Sequence, residues 1–443
     1  MINLLDKIFS LRKKKFIRDS AILQAGTLFS TALSFLASII YARVLGVEGY
    51  ASYALIFAFV GLMSIFMNVG TNETTITLMA EAYARKNKAD IKNILAYYLK
   101  ITLLFSLLVG LVIIILAPML TSKFYQSEEI GQLARIVLLA NIIKIFFYLY
   151  AIVLQVTRRI KNLTIIENSD KILQVLLPAG LVLLGFGLRG LIAGYFLAYA
   201  IFTIYAFSQY RKLCLQDELL PCWREIFAHL NKAKVGYYFK FGFLIAIDKN
   251  LGTLYGTLPI FILGMFGLSQ VAFFKIATAY AALPLMLIGP ISRLLLVQLP
   301  KSKSYGLRIL KHHFVRSSLG GMIISFVGAM ILIFPAKFLV LLVYGNSYFP
   351  AIGLAQVLLV GTVVMGLAVG ESSMFRSLHL MKKSIVINSI LIISGATVVF
   401  FFIKNFPINI AIYPIAFWLP MAALVSFFYL LFKINKIIKK ENQ

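Results

Sequence analysis

The sequence predicts an all-α polytopic membrane protein with about twelve transmembrane helices in two six-helix lobes, and three observations carry that expectation. Hydrophobic residues fill 61% of 443 positions and charged residues only 13%, where an ordinary soluble domain carries about 25% charge; mean hydropathy is +0.91. The apolar runs have spanning length, roughly 20 residues for a hydrocarbon core about 30 Å thick. Basic residues fall between those runs in regular alternation, 34 of the 43 on one side and five on the other. Helices rather than barrel strands follow from the length of the runs, because lipid requires every backbone group to be paired within its own segment.

Taken in order, the first half reads as spans at 18–42, 51–80, 96–118, 130–155, 163–185 and 189–210. The second half reads as spans at 238–264, 270–298, 313–336, 351–376, 384–403 and 408–432. These give an N-terminal lobe over 1–210, a linker over 211–237 containing Pro221 and mixed charge, and a C-terminal lobe over 238–443. The basic clusters begin with Arg12, Lys13, Lys14 and Lys15 and end with Lys433, Lys436, Lys439 and Lys440. The opposite side holds only Arg43, Lys123, Arg189, Lys337 and Lys404. Such asymmetry places both termini in the cytoplasm. The net charge of +27 is therefore topological, and nucleic acid is not an expected partner. The N-terminal stretch lacks the small-residue pattern of a cleavable signal peptide.

Catalytic chemistry finds no place in the chain. His229, His312, His313 and His379 have no ligand-like companions, and Cys214 and Cys222 fall in the linker, where reduced thiols are expected. No metal site, no cofactor site and no nucleophile with a base is expected, and the short outer loops leave no room for a polymerase or ligase centre.

An internal repeat relates the halves. Leu45-Gly46-Val47-Glu48-Gly49-Tyr50 and Phe266-Gly267-Leu268-Ser269-Gln270-Val271 each open the second span of a half. Pro118 and Pro335 recur at an offset of 217, and Asn168-Ser169 and Asn388-Ser389 at 220. Six spans per half preserve orientation, so the halves are related by a pseudo-twofold axis along the membrane normal, the arrangement of transporters that work by rocking two lobes.

Charges within spans are costly and mark cavities or partners. Asn141, Lys144 and Tyr148 fall at i, i+3 and i+7, one stripe of a helix. Asp248 and Lys249 sit mid-way along the seventh span, where Lys249 either faces a cavity or pairs with its neighbour, and Lys275 lies towards the outer end of the eighth. Arg135 reads as an outer anchor. Glu73 and Arg293, 220 apart, are expected to meet and close the inner side, and Glu371 is a candidate proton or cation site. Gly190 with Gly194, Gly252 with Gly256, and Gly366 with Gly370 have the spacing that lets helices approach closely.

The stretch Tyr41-Ala42-Arg43-Val44-Leu45-Gly46-Val47-Glu48-Gly49-Tyr50 resembles the signature of bacterial polysaccharide (O-antigen type) flippases of the multidrug/oligosaccharidyl-lipid/polysaccharide (MOP) exporter superfamily. Further likenesses are Leu342 through Tyr348 and Gly264 through Tyr280; Ala51 and Arg18-Asp19 depart from the pattern. The resemblance implies a MATE-like fold in the bacterial inner membrane. It also implies movement of an undecaprenyl-pyrophosphate-linked oligosaccharide to the outer leaflet for O-antigen, capsule or exopolysaccharide synthesis. Arg18, Asn141, Lys144, Tyr148, Lys249 and Lys275 are then the candidate head-group residues, and Glu73, Asp248, Arg293 and Glu371 the candidate gate or coupling residues. Membrane lipids and a downstream polysaccharide polymerase are the implied partners, and a monomer is expected. Cation-coupled drug export on the same fold and flipping of a peptidoglycan precursor are the alternatives.

Overall fold

A computed structural model describes residues 2–233, 235–303 and 305–441, with side-chain detail from Ala25 onward apart from isolated positions. The described chain is helical. In order it forms α1 (Ile2–Met67), α2 (Thr71–Ala84), α3 (Lys88–Tyr125), α4 (Glu128–Ile143), α5 (Ile145–Val156), α6 (Ile160–Leu181), α7 (Gly187–Gln216), α8 (Trp223–His229) and α9 (Gly236–Gly264). It continues with α10 (Leu268–Ala281), α11 (Leu283–Lys303), α12 (Leu307–Ile333), α13 (Ala336–Tyr344), α14 (Ala351–Met365), α15 (Glu371–Ser377), α16 (Met381–Asn405), α17 (Ile408–Ala411) and α18 (Tyr413–Glu441).

Among the described residues eight helical runs are long and apolar enough to cross a membrane, or nine if α10 and the start of α11, bent by 47°, count as one. Twelve spans were expected, and the difference has physical sources. The 57-residue run Ile160–Gln216 would extend about 85 Å if straight, far beyond a bilayer core. It is interrupted at Gly185 (φ 89°) and Gly187 (φ 55°), a left-handed backbone that glycine adopts without steric cost. Gly46 (φ 68°) breaks α1 in the same way. The 29-residue α9 is long enough to span, but Asp248, Lys249 and Asn250 interrupt its apolar run.

Packing divides the chain into two units. The first holds residues 1–40 and 63–250, the second residues 41–62 and 251–443. The boundaries 1–210 and 238–443 thus describe chain order, while by packing the first half of α9 belongs to unit 1 and Tyr41–Leu62 to unit 2.

Specific contacts explain each transfer. In unit 1, Asn250 donates from Nδ2 to the carbonyls of Ile65 and Asn68, both at 3.3 Å. A Cβ on Gly70 would lie 2.3 Å from the Gly242 carbonyl, so the backbones cross where neither residue can carry a side chain. In unit 2, Arg43 donates from Nε to the Val343 carbonyl at 2.7 Å and from Nη2 to that of Leu342. The Tyr348 hydroxyl donates to the Ala42 carbonyl at 2.9 Å. The two sequence stretches singled out above, 300 residues apart, therefore meet: Arg43 caps the carbonyl end of α13.

The expected linker is packed rather than open. Tyr210 donates to the Pro221 carbonyl at 2.6 Å, Trp223 donates to that of Phe207 at 3.1 Å, and the Trp223 and Phe207 rings stack at 4.6 Å. These contacts fold α8 back on α7 and bring Cys214 and Cys222 together as a disulfide, with Cα atoms 5.4 Å apart. Free thiols were expected there; the turn between the helices brings the two sulfurs into bonding range.

Candidate functional site

Unit 1 encloses a cavity of about 290 Å³ where the end of α1 and the starts of α2 and α5 face α3, α4 and α9. Among the described residues its lining is carboxamides and hydroxyls (Ser64, Asn68, Thr71, Asn72, Thr102, Ser106, Asn141), two tyrosines (Tyr98, Tyr148), the apolar Met67 and Ile145, and one cation, Lys249. The helix break at Asn68–Gly70 opens it: Asn68 turns its Oδ1 back to accept from the Gly70 amide at 3.1 Å, and Thr102 donates to Thr71 at 2.9 Å. The structure thus brings Asn141, Tyr148 and Lys249 together. Lys249 Nζ lies 2.5 Å from Glu73 Oε1, with the lysine side chain 46% exposed and the glutamate 29%. Glu73 Oε2 is buried without a hydrogen bond. The acid expected to meet Arg293 therefore has its cation on α9; the Arg293 side chain lies outside the described residues, as does that of Arg18. Asp248 sits beside Lys249 on α9, and Lys249 donates to Glu73 across to α2.

Lys144 occupies a different environment. It stands at the break between α4 and α5, 4% exposed, and donates to Asp170 Oδ2 at 2.7 Å. Gln174 donates to the same oxygen at 2.7 Å, and the ammonium sits 4.0 Å above the Tyr199 ring. The expected stripe is therefore split: Asn141 and Tyr148 reach the cavity, while Lys144 turns to α6. Sequence reasoning missed Asp170 and Gln174, one helical turn apart in a span that also carries Glu167 and Lys171. That concentration of polar residues inside an apolar run was the available signal. A second polar cleft of about 280 Å³ opens on the same helix, where Asn168 accepts from Ser30 at 2.9 Å.

Unit 2 has a cavity of about 250 Å³, lined mostly by apolar groups including Pro259, Phe274, Leu358 and Trp418, with Lys275, Thr278, Thr362 and Tyr255 as its polar members. Tyr255 donates to Asn388 Oδ1 at 3.3 Å, so the repeat-related Asn168 and Asn388 each bind a hydroxyl from the first span of their own half. Glu371 starts α15 after a 3₁₀ stretch, Gly366–Gly370, and its Oε1 is buried without a hydrogen bond. Among the described residues no cluster of three or more His, Cys, Asp or Glu side chains has the geometry of a metal site.

The sequence pattern of polysaccharide biosynthesis proteins matches residues 16–297, more than half of the chain. The chain belongs to the polysaccharide biosynthesis protein family. No curated protein matches it at significant similarity. Solved structures show the fold of this family member to be that of MATE transporters. An inward-facing multidrug resistance MATE family transporter of the MOP superfamily superposes with a TM-score of 0.74 at 17% identity, over 93% of this chain and 96% of that one. An outward-facing conformation of such a transporter gives 0.67 at 18% identity, over 96% of each chain. A MATE in its straight conformation gives 0.64 at 18% identity, over 96% of this chain and 97% of that one. The family member is thus an integral membrane protein with a transporter fold.

Proposed function

We propose that this protein is a flippase that moves undecaprenyl-pyrophosphate-linked oligosaccharide units from the cytoplasmic to the outer leaflet of a bacterial inner membrane. The observation that supports this reading is the unit 1 cavity, where seven amide or hydroxyl side chains and two tyrosines line the wall with one lysine. Sugar hydroxyls both donate and accept hydrogen bonds, as carboxamides and hydroxyls do, and aromatic rings cover their apolar faces. A lysine ammonium is a compact, hydrated charge suited to a phosphate oxygen. Lys249 is half exposed and faces the cavity from the one broken stretch of apolar sequence in α9, so an incoming pyrophosphate competes with Glu73 for it. An inside-negative potential favours outward movement of the anionic head group by about 2.3 kcal/mol per charge per 100 mV.

Drug export on the same fold is favoured by one observation, the buried, unpartnered carboxylate oxygen of Glu371, which suits a coupling cation. Proteoliposomes separate the two. A fluorescent lipid-pyrophosphate-linked oligosaccharide is expected to become accessible on the far leaflet only when the protein is present, while a cationic dye is not moved. Dye movement without lipid movement would replace this reading with drug export.

A further inference from the structure

The unit 2 cavity is built by four helices, from positions within 255–260 of α9, 358–365 of α14 and 415–420 of α18 and from one face of α10. On that face Lys275, Thr278 and Ala282 fall at i, i+3 and i+7, and Ala281, Ala282 and Leu285 carry the wall across the 47° bend into α11. Small residues leave the space open: Gly256, Ala281, Ala282 and Ala416 line it, and a Cβ on Gly256 would meet nothing within 4 Å. The hydrogens of its hydroxyl and indole groups are already given to the protein. Thr278 donates to the Lys275 carbonyl at 2.9 Å, Thr362 to that of Leu359 at 2.7 Å, Tyr255 to Asn388 Oδ1 at 3.3 Å and Trp418 to the Leu391 carbonyl at 3.0 Å. The Lys275 ammonium is different. It carries three donors, yet among the described residues it forms no hydrogen bond or ion pair, and no carboxylate lines the cavity.

We infer that this cavity binds a compact apolar monocarboxylate of about the size of octanoate, its carboxylate on Lys275 and its chain among Pro259, Phe274, Leu358 and Trp418. A cation walled by apolar groups is costly until an anion answers it, and the same charge repels a cationic amphiphile. Charge count then selects a monoanion. One ammonium answers one negative charge, whereas a phosphate ester or pyrophosphate would leave further charge uncompensated in apolar surroundings. The walls select the body of the ligand. With the hydroxyl and indole hydrogens already donated, they offer a sugar no further donor, while rings and leucines accept hydrocarbon. Volume sets its length: about 250 Å³ is the room of about eight water-sized groups, enough for a short chain and too little for the acyl chains of a phospholipid. Because the wall crosses the bend between α10 and α11, a bound acid also braces that bend.

The test is equilibrium binding of radiolabelled octanoate to purified full-length protein in detergent, with octylamine, octyl phosphate and geranyl pyrophosphate as competitors. Lys275→Met removes the charge at similar volume, Lys275→Arg keeps the charge, and Gly256→Leu fills the space. Lys337→Met, at an exposed position on α13, is the charge-matched control. Octanoate affinity is expected to fall about tenfold or more in Lys275→Met, which loses a charge-assisted contact. It should stay within about threefold of wild type in Lys275→Arg, be lost in Gly256→Leu and hold in the control. Lys275→Met also removes an unanswered charge, so without ligand it should unfold no lower than wild type. The rise in unfolding midpoint that octanoate gives wild type should be absent from it. Should Gly256→Leu fail to fold, the contrast between Lys275→Met and Lys275→Arg decides alone. Equal octanoate binding by wild type and Lys275→Met, equal loss in the control, or displacement by any of the three competitors at lower concentration than unlabelled octanoate would each overturn the assignment. No translocation is measured, so the outcome is independent of the flippase proposal.

Discussion

The cavity around Lys249 in unit 1 and the cavity around Lys275 in unit 2 are nearly equal in size, about 290 and 250 Å³, yet their linings diverge. Unit 1 surrounds Lys249 with amides, hydroxyls and a carboxylate partner, Glu73. Unit 2 surrounds Lys275 with prolines, leucines and Trp418, and among the described residues forms no ion pair with it. Asn168 and Asn388, matched in the sequence at an offset of 220, each accept a hydroxyl, while the walls of the two cavities differ. The lesson is that burial of a cation says little by itself; the groups that answer it separate a docking site from a structural pair. Lys144, buried against Asp170, Gln174 and Tyr199, is the structural extreme of that series.

The largest effect that can break this comparison is expected at Lys144. Removing one partner of a buried ion pair leaves an uncompensated charge and costs about 3–5 kcal/mol. Asp170→Ala and Lys144→Ala should therefore lower the thermal unfolding midpoint sharply in detergent. The double change Lys144→Met/Asp170→Leu should recover most of the loss; if it does not, the pair acts as more than a structural tie. Next comes the charge swap Glu73→Lys/Lys249→Glu. The partly exposed pair contributes only about 0–1 kcal/mol, so unfolding should shift little, while lipid translocation in proteoliposomes should be lost because the cavity now presents a carboxylate. Unimpaired translocation would reduce the pair to a brace.

Two glycines sharpen the contrast between packing and cavity. A Cβ at Gly194 would lie 2.5 Å from the Pro178 backbone, whereas at Gly256 nothing lies within 4 Å. Gly194→Ala should thus cost about 1–3 kcal/mol by overpacking. Gly256→Ala should be neutral within about 0.5 kcal/mol, although it lines the unit 2 cavity. Of the three Gly-x-x-x-Gly pairs in the sequence, Gly190/Gly194 and Gly366/Gly370 sit at close approaches, and Gly252/Gly256 faces open space. Equal midpoints for the two alanine variants would contradict this division.

Composition and charge alternation made the helical membrane fold legible, because the bilayer imposes them on every span regardless of partner. The cavity was legible in part. Asn141, Tyr148 and Lys249 stood out as polar residues in apolar runs, but which polar residues answer one another is a property of the folded chain. Asp170 lies 26 positions from Lys144 and belongs to a helix whose polarity had marked only the repeat. Arg135 shows the same limit. It donates to the carbonyls of Ile114 and Ile115 at 2.7 and 3.0 Å, and the Ile114 carbonyl is the one that Pro118, lacking an N–H, leaves without its helical donor. The proline and the arginine were each visible in sequence; their pairing came from the packing of α4 on α3.

The measurement that bears most directly on the asymmetry between the cavities is translocation of a lipid-pyrophosphate-linked oligosaccharide by proteoliposomes of wild type, Lys249→Ala and Lys275→Ala. Loss of a charge-assisted contact to the head group should slow Lys249→Ala about tenfold or more, with Lys275→Ala close to wild type. The reverse order, or equal rates in all three, would contradict the assignment of the head group to the unit 1 cavity.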